Sequence, residues 1–183
     1  LMIISQVGKN QLSLIMENKK IRVGINGFGR IGSVVLRAIL LEKYDVEVVA
    51  INTRGDLPME SFAMQFKYDS VYGRMPYKVD FAEPQKGGEI GRLIVGELQI
   101  PFLGEPDVTK IGWKNYGVDV VLECTGAFTD NKALGHIKSG AKKVVISAPA
   151  KDKTIPTFVL GVNEDKYKGE QLISNGSCTT NCT

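Results

Sequence analysis

Six residues, Gly27-Phe28-Gly29-Arg30-Ile31-Gly32, constrain this chain more than any other feature. They follow a β-prone alternation over residues 21–26. They open a segment whose apolar positions, Ile31, Val34, Val35, Ala38, Ile39 and Leu41, suit a helix packed on a sheet. A continuously apolar run over residues 46–51 comes next, and such runs belong to parallel strands buried on both faces. Strand, glycine turn, helix and strand within about 30 residues make the crossover unit of a doubly wound α/β sheet.

In that setting each glycine has a task. Gly27 permits the tight turn, Gly29 lets the backbone approach a pyrophosphate, and Gly32 lets helix and strand pack closely. The pyrophosphate would rest on the N–H groups around Arg30 and Ile31 at the helix start. The competing reading is a plain strand-to-helix turn without a ligand. The flanking strand and helix, with a second strand at the expected distance, favour the dinucleotide reading.

The rest of the chain extends the same pattern. Residues 57–66 predict a second helix. Residues 77–102 differ: short β runs are broken by Gly87-Gly88, Gly91, Gly96 and Pro101, which predicts antiparallel hairpins inserted at one edge. Residues 118–124 form another buried strand, closed by Thr125-Gly126. Asp130 caps a helix running to residue 138, and Gly140 ends it. Strands over 144–147, 157–162 and 171–174 complete the set. The predicted fold is α/β: a Rossmann-type, doubly wound, mostly parallel sheet with a small antiparallel insertion.

Length and charge narrow the options. A chain of 183 residues holds one domain, or one domain and the start of another. Residues 16–176 are expected to form the dinucleotide-binding domain, and residues 177–183 to begin a truncated catalytic domain. Residues 1–15 lack the charged start, apolar stretch and cleavage site of a signal peptide, and Met16 precedes the first strand directly. We expect 1–15 to be a non-native leader. A net charge of +3 with dispersed lysines argues against a nucleic-acid partner. No apolar run approaches the roughly 20 residues of a membrane span. Three cysteines, two of them four residues apart, argue against a disulfide framework and for a reducing cytoplasm. Cys124, in an apolar strand, reads as a buried, inert thiol. No metal site is expected.

A second motif, Ser177-Cys178-Thr179-Thr180-Asn181-Cys182, carries chemistry of its own. A cysteine between small hydroxyl residues, just after a strand, is a candidate nucleophile. A helix starting there would favour the thiolate through its free N–H groups and positive dipole end. Such a nucleophile also needs a basic partner, usually histidine. The chain has one histidine, His136, far upstream on a predicted helix, where it reads as a surface residue. The thiol therefore looks like half of an active site.

Cofactor choice is legible in part. The strand after the glycine helix ends Asn52-Thr53-Arg54-Gly55-Asp56. Dinucleotide folds that prefer NAD place an acidic residue near Thr53 to bind the ribose hydroxyls. Thr53 is neutral and Arg54 could attract a 2′-phosphate, which points to dual or NADP-leaning use. The alternative is that Asp56 swings in, or that Asn52 and Thr53 serve NAD.

These motifs and four others, Lys67-Tyr68-Asp69-Ser70, Glu123-Cys124-Thr125-Gly126, Ile146-Ser147-Ala148-Pro149 and Gly161-Val162-Asn163, resemble the phosphorylating glyceraldehyde-3-phosphate dehydrogenases. The resemblance spans residues 21 to 182. It implies a glycolytic, cytoplasmic enzyme that oxidises a phosphorylated aldehyde with NAD or NADP and inorganic phosphate, and a homotetrameric parent. It implies that Cys178 is the attacking thiol, with Cys182 nearby but not attacking. Ser177 and Thr179 match phosphate-binding positions. Arg30, Ile31 and Ser147 match positions that contact the dinucleotide, and Thr125 and Gly126 lie on a loop beside its adenosine half. The chain departs from the family in Thr53, usually aspartate, and in lacking an arginine within Gly104-Glu105-Pro106-Asp107. The family's catalytic histidine would follow Thr183, so Cys178 is expected to be idle in these residues alone. The alternatives are a stand-alone dinucleotide-binding module without turnover, or an erythrose-4-phosphate dehydrogenase.

Overall fold

The chain folds around one eight-stranded sheet in the order β10-β9-β8-β1-β2-β7-β6-β5. The structure, a computed structural model, describes residues 20–42 and 44–182. The expected leader over 1–15 and the final residue, Thr183, lie outside the described residues. The strands are β1 (Ile21–Asn26), β2 (Val46–Asn52), β3 (Tyr68–Asp69), β4 (Gly73–Arg74), β5 (Val79–Ala82), β6 (Glu89–Val95), β7 (Leu98–Leu103), β8 (Val120–Glu123), β9 (Lys143–Ile146) and β10 (Leu172–Ser174). The helices are α1 (Arg30–Glu42), α2 (Met59–Lys67), α3 (Gly135–Lys138) and α4 (Cys178–Cys182).

From β10 through β7 neighbouring strands pair in parallel, as β10/β9, β9/β8, β8/β1, β1/β2 and β2/β7. The predicted insertion is a meander of β5, β6 and β7 with antiparallel pairing, joined to the sheet through β7. It is packed by α2, whose Met59, Phe62, Ala63 and Phe66 fall at i, i+3, i+4 and i+7 and are buried. A small hairpin of β3 and β4 follows α2 and was not expected from the sequence.

Both faces of the sheet are covered. Val23, Ile25, Ile51 and Phe102 pack with Leu36 of α1 and the apolar face of α2. Val49, Ala50, Leu103 and Val121 pack on the other side with Trp113 and Ala133. Gly24 makes that second contact possible. A Cβ there would stand 2.8 Å from the Trp113 ring, and the β1/β2 register shifts between Val23 and Gly24. The indole thus presses on bare backbone.

Two expectations need correction. Residues 157–162 do not form a strand. Thr157 makes one isolated bridge to Ser174, and then the Asn163 side chain accepts from Val159 N–H and donates to the Thr157 carbonyl, closing a turn. Gly161 takes φ +83° within it, and Leu160 is 84% exposed. Periodicity saw apolar residues there, but these side-chain bonds take up the backbone. The Asp130 cap holds, with its carboxylate accepting from Lys132 N–H at 2.8 Å, yet it opens a 3₁₀ turn, Asn131–Leu134, before α3.

Candidate functional site

Parallel pairing aligns the carboxyl ends of five strands. Asn52 pairs with Asn26, Asn26 with Glu123, Glu123 with Ile146, and Ile146 with Ser174. The backbone continues this row by one residue. Gly27 N–H donates to the Asn52 carbonyl, Cys124 N–H to Asn26, Ser147 N–H to Glu123 and Asn175 N–H to Ile146, at 2.8–3.0 Å. All the predicted cofactor and phosphate positions lie at or just beyond this row. Successive strands leave β1 in opposite directions, β2 to one side and β8 to the other, so the order reverses beside β1. In open α/β sheets ligands bind in the crevice at such a reversal.

The glycine turn occupies that crevice. Gly27 takes φ +93°, and a Cβ on it would meet Thr125 Cγ2 at 2.8 Å. A Cβ on Gly32 would stand 2.0 Å from the Gly27 carbonyl oxygen, so α1 seats on the turn only because that residue is glycine. Gly29 is different: its Cβ would meet nothing within 4 Å. Its exposed backbone leads into the first N–H groups of α1, which have no intrahelical acceptor, and no acidic side chain occupies the first turn. This open, positively polarised cradle fits a pyrophosphate. Ile31 is exposed at its rim. The Arg30 side chain is held aside by the Asp69 carboxylate and by Ser70 Oγ.

Flanking loops carry the other predicted residues. Thr53 is buried, and its Oγ1 accepts from Gly55 N–H at 3.0 Å. Arg54 pairs with Asp56 at 3.2 Å, and both are exposed. Thr125 and Gly126 are exposed on the loop after β8, with Gly126 at φ +71°. Ser147 Oγ donates to the Glu123 carbonyl at 2.9 Å. Beside it lies Cys124, half-buried, and burial pushes its thiol up to about 11. That agrees with an inert thiol.

Cys178 opens α4, just past β10, and is exposed. Ser177 caps this helix: its Oγ accepts from Thr180 N–H at 2.9 Å. Thr179 is exposed on the same turn. Four inter-strand steps separate β2 from β10. At strand spacing that is about 19 Å. That spacing separates Thr53, just past β2, from Cys178, just past β10.

Beneath the edge lies a polar chain that sequence reasoning missed. His136, expected on the surface, is fully buried. Its Nδ1 accepts from Trp113 Nε1–H at 2.9 Å. An indole N–H only donates, so Nε2 carries the imidazole hydrogen and donates to Glu123 Oε2 at 2.9 Å. Asn26 Nδ2 donates to the same oxygen at 2.6 Å. Asn52 Nδ2 donates to Asn26 Oδ1 at 2.8 Å, and Asn52 Oδ1 accepts from Glu105 N–H at 3.0 Å. Glu123 Oε1 accepts from Thr125 N–H at 2.8 Å and from the Thr125 hydroxyl. The one available signal was a polar residue ending each apolar strand: Asn26, Asn52, Glu123.

Comparison with known proteins gives a consistent result. A family model, "Glyceraldehyde 3-phosphate dehydrogenase, NAD binding domain", matches residues 21–131. The glyceraldehyde-3-phosphate dehydrogenase of Chlamydia pneumoniae is 49% identical over 164 residues, which cover 88% of this chain and 46% of that protein. The cytosolic glyceraldehyde-3-phosphate dehydrogenase of Sinapis alba is 47% identical over 169 residues, 91% of this chain and 47% of its own length. That of Salmonella typhimurium is 48% identical over 163 residues, 88% and 46%. The chain spans about half the length of the curated relatives it matches. The family model covers most of the sheet, from β1 through β8, together with the glycine turn at its reversal. On that match the chain belongs to the family of the glyceraldehyde 3-phosphate dehydrogenase NAD-binding domain.

Proposed function

We propose that this chain is the cofactor-binding and thiol-bearing part of a phosphorylating glyceraldehyde-3-phosphate dehydrogenase. The observation that carries the reading is the shared carboxyl edge, with the open cradle at Gly29 near one end and exposed Cys178 near the other. Gly27, Gly29, Arg30, Ile31 and Gly32 would hold the pyrophosphate of the dinucleotide, with Asn52, Thr53, Thr125 and Gly126 beside its adenosine half and Ser147 in contact with it. When bound, NAD or NADP supplies the hydride acceptor. Cys178 Sγ, as thiolate, forms a bond to the aldehyde carbon of glyceraldehyde 3-phosphate. Loss of hydride from that carbon leaves a thioester on Cys178. An oxygen of inorganic phosphate, beside Ser177 and Thr179, then attacks the thioester carbon. The C–S bond breaks, 1,3-bisphosphoglycerate leaves and the thiolate is restored.

The base for Cys178 is not His136, because both ring nitrogens are engaged in the buried chain. This chain alone therefore binds dinucleotide without turnover, and a base must come from another part of the whole protein. Inorganic phosphate as co-substrate, a homotetrameric parent and a cytoplasmic site of action belong to the same reading. Residues 16–176 serve as its dinucleotide domain, and 177–183 lead into the catalytic one. Among the described residues no helix is long and apolar enough to cross a membrane. Calorimetric titration of the 183-residue chain with NAD+ tests the reading. Saturable one-to-one binding is expected, and no binding overturns it.

Cofactor choice follows from the β2 end. Without a carboxylate at Thr53, the chain accepts both NAD and NADP, and Asp56 holds Arg54 away from a 2′-phosphate. Asp56→Asn should therefore raise affinity for NADP and leave NAD unchanged. A preference for NAD above about 100-fold in the unmodified chain would overturn dual use.

A further inference from the structure

The buried chain from Trp113 to Glu105 has a direction, and that direction is fixed at both ends. At one end the indole N–H can only donate, so His136 Nδ1 must accept and Nε2 must donate. At the other end the Glu105 backbone offers its N–H to Asn52 Oδ1 and takes Asn52 Nδ2 on its carbonyl at 2.9 Å. Asn52 cannot flip without losing both bonds, and Asn26 cannot flip without facing Asn52 Nδ2 with its own NH2. Four donors therefore converge on the Glu123 side chain: His136 Nε2, Asn26 Nδ2, Thr125 N and Thr125 Oγ. A carboxylate has two acceptor positions on each oxygen, enough for all four. Asn26 Nδ2 and His136 Nε2 lie 3.5 Å apart because both point at one oxygen.

We propose that Glu123 is a positioning residue for the dinucleotide, a role that rests on the binding reading above. Its side chain is fully buried and is not placed to meet the cofactor. It acts through what it holds: the Thr125–Gly126 loop directly, the end of β1 leading into the Gly27 turn through Asn26, and Asn52 with the Glu105 segment beyond that. Trp113 and His136 fix the carboxylate from behind. One buried side chain thereby sets the relative placement of loops that lie on both sides of the strand-order reversal. A buried carboxylate with four hydrogen bonds is a rigid anchor, because each bond lost leaves a donor unsatisfied in low dielectric.

Glu123→Gln tests this with a defined failure. If the amide NH2 took the place of Oε2 it would face two donors that cannot invert. The amide oxygen therefore takes that place, and the chain from Trp113 to Glu105 keeps its bonds. The NH2 then faces Thr125 N–H, and the Thr125 loop is released. The expected result is NAD+ binding weakened about 10-fold, with the amide resonances of residues 125–127 shifted. The Trp113 indole N–H resonance stays in place, and it needs no assignment because the chain has a single tryptophan. Leu93→Val, in the core away from this edge, is the control for stability alone, and it leaves affinity unchanged where all variants are folded.

Unchanged affinity in Glu123→Gln, or equal weakening in the control, overturns the positioning role while NAD+ binding by the unmodified chain keeps the dinucleotide reading. No binding by the unmodified chain overturns both. If Glu123→Gln does not fold, Asn26→Ala carries the same test. It removes the link from the Glu123 carboxylate to Asn52 and leaves the cofactor-binding residues in place, so NAD+ binding should weaken about 10-fold while the Trp113 indole resonance stays in place. Unchanged affinity in Asn26→Ala overturns the role.

Discussion

The two halves of the sheet bury polar groups in opposite ways. From β10 to β2 the strands are parallel, and Ser174, Glu123, Asn26 and Asn52 are all buried at their carboxyl ends. From β7 to β5 the strands are antiparallel. Here β6 alternates buried and half-buried positions, and its buried acid, Glu89, is answered by Arg92 on the same strand at 2.8 Å. The difference follows from direction. Parallel strands bring every carboxyl end to one edge, so polar side chains there can join into a continuous network under a ligand. Antiparallel strands send alternate ends to opposite edges, and a buried charge must find its partner locally. The parallel half thus carries the site, and the antiparallel half widens the core beneath it.

If that division is right, one substitution should damage both fold and site. Gly32→Ala places a Cβ 2.0 Å from the Gly27 oxygen, and backbone cannot yield as a flexible side chain would. Displacing α1 should cost at least about 3 kcal/mol, at the upper end of overpacking penalties. Urea denaturation should show it, together with loss of NAD+ binding. Leu93→Ala in β6 removes a fully buried side chain from the antiparallel half. It should cost about 3 kcal/mol and leave NAD+ affinity unchanged. A change in affinity would break the claim that the halves divide the work. Gly29→Ala reverses that pattern. Its Cβ meets nothing within 4 Å, so the stability cost should be about 1 kcal/mol or less, that of a poorer helix cap. NAD+ affinity should fall at least about 10-fold, because the methyl occupies the space for the pyrophosphate.

These contrasts also mark what the sequence could reveal. The glycine turn, the parallel strands and the antiparallel insertion were legible because period and punctuation are local signals. The exposed Cys178 at a helix start was legible for the same reason. The buried chain was not. His136 looked like a surface residue because nothing nearby in sequence announces Trp113, 23 positions upstream, or Glu123, 13 positions upstream, as its partners. Residues 157–162 looked like a strand because their apolar content says nothing of the Asn163 side chain that closes the turn. In both cases a side-chain hydrogen bond decided the outcome, and hydrophobic period does not encode it.

The smallest expected effect separates the two buried acids. Burial alone would raise the Glu89 carboxyl, but hydrogen bonds and charge from Arg92 and the Gln85 N–H outweigh it, and the net shift is downward. A carboxylate depressed in the folded state contributes stability that is full above its unfolded value, 4.5, and is lost as pH falls through the lower folded value. Glu89→Gln should therefore be less stable than the unmodified chain near about pH 6, with the difference shrinking on acidification below 4.5. Urea midpoints measured across that range check the sign. Because Arg92 and the Gln85 N–H, both in the antiparallel half, hold Glu89, NAD+ affinity should not follow the same titration. If affinity does follow it, the antiparallel half is coupled to the carboxyl edge, and the division between the halves fails.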